Sequence, residues 1–444
     1  MSESTPLSVR LATSIVQKVP NSVENAVSPI YYYYNSRKAD TEHKSPSIKA
    51  TRRENSPDHI LLLVVDALRP DAVPNVGLDF AHAITPATWT YPAMTSIHTS
   101  LYPHEHGSIA RTHPDDDEFA MPTQYDEQDT LSHVLEAAGY STYSGCSFIV
   151  PFLATRGWYQ TNRVYGDERA KKIISDYRQW RSGRDQTYGY LHLGDLHNPL
   201  KPPQEYINKH NVDESLDLEF PDQWASCYDG SEQAEIFRDE RLKLYRAALE
   251  YVSDEIEILL DEISNDTLIV ITGDHGECQF EHSDLDQQFS DSRPNYGVGH
   301  GGTPFDELAR VPVSVSHPEG GSINPLGGRA SLIDVPRTIC EQVVQSNSFN
   351  GFDWVDPIPK ERAAICEASR YGTERKAVYK REVMAIHSKS DDVTLFATVD
   401  NSVTFVDGLE EDLIAELPDQ WDDFSVETNS GEFAKSQLKA LGYV

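Results

Sequence analysis

Cysteine is scarce, with five in 444 residues. Cys146, Cys227, Cys278, Cys340 and Cys366 are widely spaced, odd in number and contain no CxxC pair. This excludes a disulfide framework and a thiolate zinc site. Long apolar runs are missing too. None approaches the roughly 18 residues of a membrane span, and the opening MSESTPLSVRLATSIVQKVP holds no apolar stretch of signal-peptide length, so the expected compartment is the cytosol (cytoplasmic). Positive charge is short: 38 basic residues face 71 acidic ones, a formal net charge of −33. That balance excludes sequence-independent nucleic-acid binding and attachment to anionic membrane surfaces. Lysine is rarer than arginine, and the acids are spread through the chain. The pattern is that expected of a halophilic, acidic proteome, where salt shortens the reach of self-repulsion.

What is present alternates between strand and helix signals. His59 to Val65, HILLLVV, is a continuous apolar run of strand length that ends at Asp66, as a central parallel strand covered on both faces would. Leu268 to Ile271 is a second such run, breaking into Thr272, Gly273, Asp274, His275, Gly276 and Glu277. A third, Tyr188 to Leu193, opens into Asp195, Leu196, His197, Asn198 and Pro199. Helical spacing marks Asp129 to Gly139 and Arg241 to Glu262, and Leu308 to Ser316 resumes a strand. The expected fold is α/β: a three-layer α/β/α sandwich with a mostly parallel central sheet and a small C-terminal α+β subdomain. Residues 1–56 are read as an N-terminal extension, 57–345 as the catalytic domain and 346–444 as the subdomain, its strands at 377–387 and 393–406. Within the extension, 7–19 suits a short amphipathic helix, 36–56 is polar and loop-like, and the cluster Tyr31 to Tyr34 is expected to pack on the main domain.

Carboxylates at the carboxyl ends of strands are where open α/β sheets place chemistry. Asp66 and Asp274 both stand there, the latter beside an imidazole. Thr90 reads as an N-cap, with Pro92 in the first turn of a helix running to about Leu101. A hydroxyl at a helix start is either a plain cap or a nucleophile with free N–H groups and a favourable dipole beside it. Asp195, His197 and His300 complete the set of loop-borne groups.

Five stretches carry a family resemblance: LLLVVDALRPD, TYPAMTSIHTSLYPHEHG, HLGDLHNP, TGDHGE and GHGGTPFDELARVPV. In this order they resemble the sulfatase and alkaline-phosphatase superfamily across roughly residues 58–317. The resemblance implies a metal-dependent hydrolase or transferase acting on a phosphate ester (a phosphodiester) or a sulfate ester. It makes Asp66, Asp274 and His275 ligands of one metal site, Thr90 the metal-bound nucleophile, His197 the histidine touching the transferred group or its leaving oxygen, and His300 the occupant of a later lysine or histidine position. Asp195, His197 and His300 are candidates for a second metal or for substrate, and His282 for substrate. His104 and His106 are read as orienting the nucleophile helix, and Arg69 and Arg310 as partners of nearby carboxylates.

Several positions depart from the sulfatase pattern. Ala67 stands where sulfatases carry a second aspartate. Thr90-Tyr91-Pro92-Ala93-Met94 replaces the C/S-x-P-x-R motif whose first residue becomes formylglycine, and a lysine and histidine expected near Gly145 to Phe148 are missing. Threonine is no substrate for that conversion, so the resemblance points instead to direct threonine attack, as in the superfamily's phosphodiesterases and phosphoglycerol transferases. His275 beside Asp274 favours manganese or zinc over calcium or magnesium, because imidazole suits softer ions. One ion is expected rather than two, since Asp195 and His197 lie two apart where two-zinc relatives space ligands four apart. The substrate class extends to a glycan, nucleotide or lipid-linked ester. Alternative readings are a phosphomutase of the same superfamily, for which no inserted cap domain is found, and a non-catalytic scaffold.

Overall fold

The computed structural model describes residues 21–111, 121–166, 168–218, 230–293, 297–319, 321–399, 403–406, 408 and 411–421. The helix expected at 7–19 and the acidic tail beyond 421 lie outside the described residues. Strands are His59–Val65 (β1), Ala81–Ile84 (β2), Ser141–Cys146 (β3), Thr161–Val164 (β4), Thr187–Leu193 (β5), Thr267–Gly273 (β6), Cys278–Gln279 (β7), Val298–Gly299 (β8) and Arg310–Ser316 (β9). Seven of them form the main sheet in the order β2-β9-β6-β1-β5-β3-β4. β6, β1, β5, β3 and β4 are mutually parallel, whereas β9 runs antiparallel to both β6 and β2.

The apolar run of β1 is buried along its whole length because both of its faces are covered. Ile60, Leu62 and Val64 pack with Met94 and Ile97 of Thr90–Thr99 (α2), Leu131 and Leu135 of Leu131–Ala137 (α3), Phe152 of Ile149–Thr155 (α4) and Ile339 of Val335–Val343 (α7). Leu61, Leu63 and Val65 pack on the other side with Ile173 and Tyr177 of Ala170–Arg181 (α5) and with Leu244, Val252, Ile256 and Leu259 of Glu232–Ile263 (α6). Strict alternation of faces along one strand thus produces the three layers. α6 starts nine residues before the apolar periodicity does. Ser231 caps it by accepting the Ala234 N–H, and Glu232 and Glu235 sit in its first turn against the positive dipole end.

The C-terminal sheet is a meander of Ala363–Cys366 (β10), Lys376–Lys380 (β11), Val383–Ser388 (β12), Val393–Val399 (β13) and Val403–Val406 (β14), each strand antiparallel to the next. The expected strands 377–387 and 393–406 are each two strands, the first pair turned at Arg381, whose φ is 53°. β10 carried no signal of its own beyond four short apolar residues.

Residues 36–42 are not loop but the end of a helix, Asn21–Glu42 (α1), which lies along the edge strand β4. Tyr32 is buried there against Gly166, where any side chain would collide with its ring, while Tyr33 is exposed. Ser36 Oγ accepts the Val164 N–H at 3.0 Å and Asp40 Oδ1 the Asn162 N–H at 2.6 Å. The polar residues that looked loop-like are therefore the ones that satisfy the edge of the sheet. Among the described residues no helix is long and apolar enough to cross a membrane.

His98 of α2 is fully buried. Its Nδ1 donates to Met94 O at 2.8 Å, and its Nε2 lies 2.7 Å from the Tyr159 hydroxyl. Burial pulls its pKa down to about 4, and likewise that of His133 to about 4 and His106 to about 3. These groups fold neutral, so between their folded values and the ordinary value near 6.5 the unfolded chain binds more protons. The stability they contribute is complete above about pH 6.5 and is lost as pH falls towards 4. Replacing His98 by glutamine should flatten the slope of unfolding free energy against pH by up to about 1.4 kcal/mol per unit, read from urea midpoints between pH 5 and 7. An unchanged slope would refute the assignment.

Candidate active site

β1 and β6 are adjacent, parallel and in register, with Val65 opposite Gly273. The residues that follow, Asp66 and Asp274, therefore leave the sheet side by side. The turn after Asp66 is sharp: Ala67 holds φ 57°, a left-handed conformation that costs a non-glycine residue about 1–2 kcal/mol. Its N–H and that of His275 reach Asp274 Oδ1 at 3.4 and 2.9 Å. Gly276 is required where the DHG loop crosses its neighbour, since a Cβ there would lie 1.9 Å from the Glu307 carbonyl oxygen.

The expected metal ligands come together. One oxygen of Asp66, one of Asp274 and a ring nitrogen of His275 lie within 4.8 Å of one another, all three side chains fully buried. His275 Nε2 is 3.8 Å from Asp66 Oδ1 and 3.5 Å from Asp274 Oδ2, while its Nδ1 donates to Gly276 O at 2.8 Å. That bond fixes the tautomer with the Nε2 lone pair on the carboxylate side. Asp66 Oδ1 is buried with no hydrogen-bond partner. Burial and the neighbouring Asp274 push the Asp66 carboxyl well above its ordinary range. For Asp274, burial acts the same way but is outweighed by His275 and His192, which hold it below that range. Burial lowers His275 to about 4, so it stays neutral. Two buried carboxylates, a neutral imidazole and an orphaned oxygen are a donor set that fits a divalent cation.

Thr90 is brought to the same point, though not as an N-cap. The N-cap of α2 is Trp89, which makes no side-chain cap bond, and Thr90 is the first helical residue. Its hydroxyl has left the backbone for the cluster: Oγ1 donates to Asp66 Oδ2 at 3.1 Å and lies 3.2 Å from His275 Nε2. The Thr90 and Tyr91 amides of the first turn are thereby left without a side-chain cap, an arrangement suited to an anion.

His197 and His300 line the next position outward. Their ring centroids are 5.0 Å apart, and His300 lies 4.5 Å from His275. His197 Nδ1 donates to Asn198 O at 2.6 Å; burial, with His300 nearby, lowers its pKa to about 3. Phe148 packs on His197 at 4.9 Å, so an aromatic ring fills space near where the sulfatase pattern has a lysine and a histidine. Asp195 is turned elsewhere: its carboxylate accepts the Ala170 N–H at the start of α5, at 3.1 and 3.3 Å. His282 faces the C-terminal side, paired with Glu307 at 2.9 Å and packed against Phe305 and Phe405. His104 pairs with Glu367, and His106 Nε2 meets Ser96 of α2 at 3.0 Å. Arg69 pairs with Asp71 and Glu281, and Arg310 with Asp306.

Two groups escaped the sequence reading. His192, buried in β5, directs Nε2 at Asp274 Oδ2 (3.4 Å) and Asp66 Oδ2 (3.5 Å); a lone imidazole in an otherwise apolar two-faced strand was the available signal. Glu277 is buried too. Its Oε2 accepts from His300 Nδ1 and its Oε1 from Asn198 Nδ2, both at 2.8 Å. Burial raises its pKa, but His300 pulls it down further, to about 2.

A family model described as sulfatase matches residues 65–342, well over half of the chain. Solved structures share the fold. The phosphonate monoester hydrolase SpPMH from Silicibacter pomeroyi superposes with a TM-score of 0.57 at 14% identity, covering 78% of this chain and 90% of that one. BT4656, solved with its substrate D-glucosamine-2-N,6-O-disulfate, gives 0.53 at 14% identity over 78% and 91%. The phosphonate monoester hydrolase of Agrobacterium radiobacter gives 0.53 at 13% over 77% and 89%. A search of curated protein sequences finds no match.

The buried pair Asp66 and Asp274 makes a testable contrast. Asp66→Asn removes the repulsion between them, so the metal-free protein should melt a few degrees higher. The same change should abolish the rise in melting temperature that Mn²⁺ or Zn²⁺ gives the wild type. Equal metal-dependent shifts in both proteins would show that the cluster is not the binding site.

Proposed function

Since the chain belongs to the sulfatase family, within the alkaline-phosphatase-like superfamily, we propose that it is a metal-dependent ester hydrolase or transferase in which Thr90 attacks phosphorus or, less readily, sulfur. One observation carries this reading: the Thr90 hydroxyl stands at a helix start within 3.2 Å of both Asp66 and His275. A residue whose only task was capping would hold its oxygen on the amides of its own helix.

Asp66, Asp274 and His275 would hold one divalent ion, with Thr90 Oγ1 beside it and manganese or zinc preferred. Bound there, such an ion neutralises charge on the oxygens of the transferred group and lowers the pKa of the adjacent hydroxyl. The chain's own residues do the remainder. Thr90 gives up its proton along the hydrogen bond to Asp66 as Oγ1 bonds to phosphorus and the ester oxygen departs. The Thr90 and Tyr91 amides at the start of α2 donate to the developing anion. Water or an acceptor alcohol then releases the group from Thr90, which regains its proton.

Phosphoryl chemistry is favoured over sulfuryl chemistry by Thr90 and Met94, which cannot form or support a formylglycine hydrate. A phosphodiester is the preferred substrate. The disulfated glucosamine of one structural neighbour and the phosphonate monoesters of two others are consistent with a small anionic ester, on a glycan, nucleotide or lipid-linked carrier. The net charge of −33 suits work in a salt-rich cytosol.

The test is a parallel assay of an aryl phosphodiester, an aryl phosphate and an aryl sulfate in molar salt with Mn²⁺, Zn²⁺, Ca²⁺ or Mg²⁺. The diester should turn over fastest with Mn²⁺ or Zn²⁺. Thr90→Ala should lose at least about a thousandfold in kcat, and Thr90→Ser should keep much of it. Full turnover by Thr90→Ala would remove the nucleophile, and turnover of aryl sulfate alone would overturn the phosphoryl preference.

A further inference from the structure

Four imidazoles stand at the site; His192 turns Nε2 to the two carboxylates, and the other three are each held through Nδ1. His275 Nδ1 donates to Gly276 O and His197 Nδ1 to Asn198 O, both neutral carbonyls. His300 Nδ1 instead meets a carboxylate, Glu277 Oε2, at 2.8 Å.

The direction of every hydrogen bond behind His300 is determined by chemistry. The Arg241 guanidinium can only donate, and it does so to Asn198 Oδ1. The Asn198 amide nitrogen is thereby turned to Glu277 Oε1, at 2.8 Å. A carboxylate can only accept, so the contact on its other oxygen requires the proton of His300 to sit on Nδ1. The backbone of Glu277 is anchored as well: its N–H donates to Glu307 O at 3.1 Å, and its carbonyl accepts from Arg69 Nη1 at 2.6 Å. With 1% exposure, the carboxylate is held in one place.

A carbonyl behind an imidazole fixes its orientation. A carboxylate fixes orientation and also stabilises the imidazolium that carries a second proton on Nε2. We propose that His300, rather than His197, is the catalytic residue that protonates the departing oxygen, and that Glu277 is the positioning residue that equips it to do so. This rests on the threonine-nucleophile reading above. As the bond from phosphorus to the leaving oxygen breaks, its electron pair stays on that oxygen, which takes the proton from His300 Nε2. The imidazole is left neutral with Nδ1–H still on Glu277. In the second step the attacking water or alcohol returns a proton to Nε2 as its oxygen bonds to phosphorus and the Thr90 oxygen departs. His197, backed by a carbonyl, contacts the transferred group without supplying this proton.

The experiment compares two phosphodiesters that share a phosphoryl group, one with a 4-nitrophenol leaving group and one with an alkyl alcohol, on the purified full chain. A good leaving group needs little proton donation; a poor one needs much. His300→Asn and Glu277→Gln should each lower kcat/KM on the alkyl ester by about a hundredfold or more and on the nitrophenyl ester by under about tenfold. The double variant should be no worse than His300→Asn, and Glu277→Asp should recover part of the alkyl-ester rate. His197→Asn should lower both esters alike. Equal losses on the two esters for His300→Asn, or a leaving-group dependence for His197→Asn, would overturn the assignment while leaving the nucleophile in place. A wild type that cleaves neither ester would overturn both. Should Glu277→Gln not fold, His300→Asn and Glu277→Asp carry the comparison.

Discussion

Two carboxylates buried side by side are the constraint from which the rest of this molecule follows. Asp66 and Asp274 are both excluded from water, and an isolated pair of like charges in such a place is unfavourable by several kcal/mol. Everything around them answers that problem. His192 reaches both carboxylates from β5, His275 faces them from the same loop, two backbone amides converge on Asp274, and Thr90 donates to Asp66. Even so, one oxygen of Asp66 is left with no hydrogen-bond partner. A chain selected only for stability would not keep such a group.

The sheet supplies the geometry. Three central strands, β6, β1 and β5, stay in register to their ends, with Val65 opposite both Gly273 and Leu193. Residues leaving those ends are thus within reach of one another without any long-range coincidence. The outer layer of the site is built the same way, since His197 and Asn198 follow β5, and Glu277 follows β6. Because hydrogen bonds run from Arg241 through Asn198 and Glu277 to His300, the long helix α6 bears on the orientation of a ring in the site.

Much of this was legible in the sequence, and the reason is periodicity. A run such as HILLLVV can be buried on both faces in one way only, so β1, β5, β6 and the aspartates at their ends declare themselves. The candidate trio Asp66, Asp274 and His275 could be picked out because polar groups at the ends of such runs have no structural excuse. What did not show was anything set by tertiary partners. Thr90 looks like a cap locally, and only the proximity of Asp66 turns its hydroxyl away. Asp195 had the same credentials as Asp66, but the start of α5 captures it. Glu277 and His300 are 23 residues apart, and nothing in their spacing announces the pair. Ser36 and Asp40 belong to a segment that reads as loop because its polar residues face a strand edge instead of solvent.

That last feature reaches beyond local structure. A sheet edge is a row of donors and acceptors that any other strand can extend, including the same edge of a second copy. Here a helix takes the place of a strand, and side-chain oxygens on Ser36 and Asp40 occupy donors of β4 that an incoming chain would seek. A proteolytic nick that freed α1 would therefore change the colloidal behaviour of the protein before its chemistry. The groups of the candidate site would remain in place at the ends of the central strands, while the exposed edge became a template for edge-to-edge assembly.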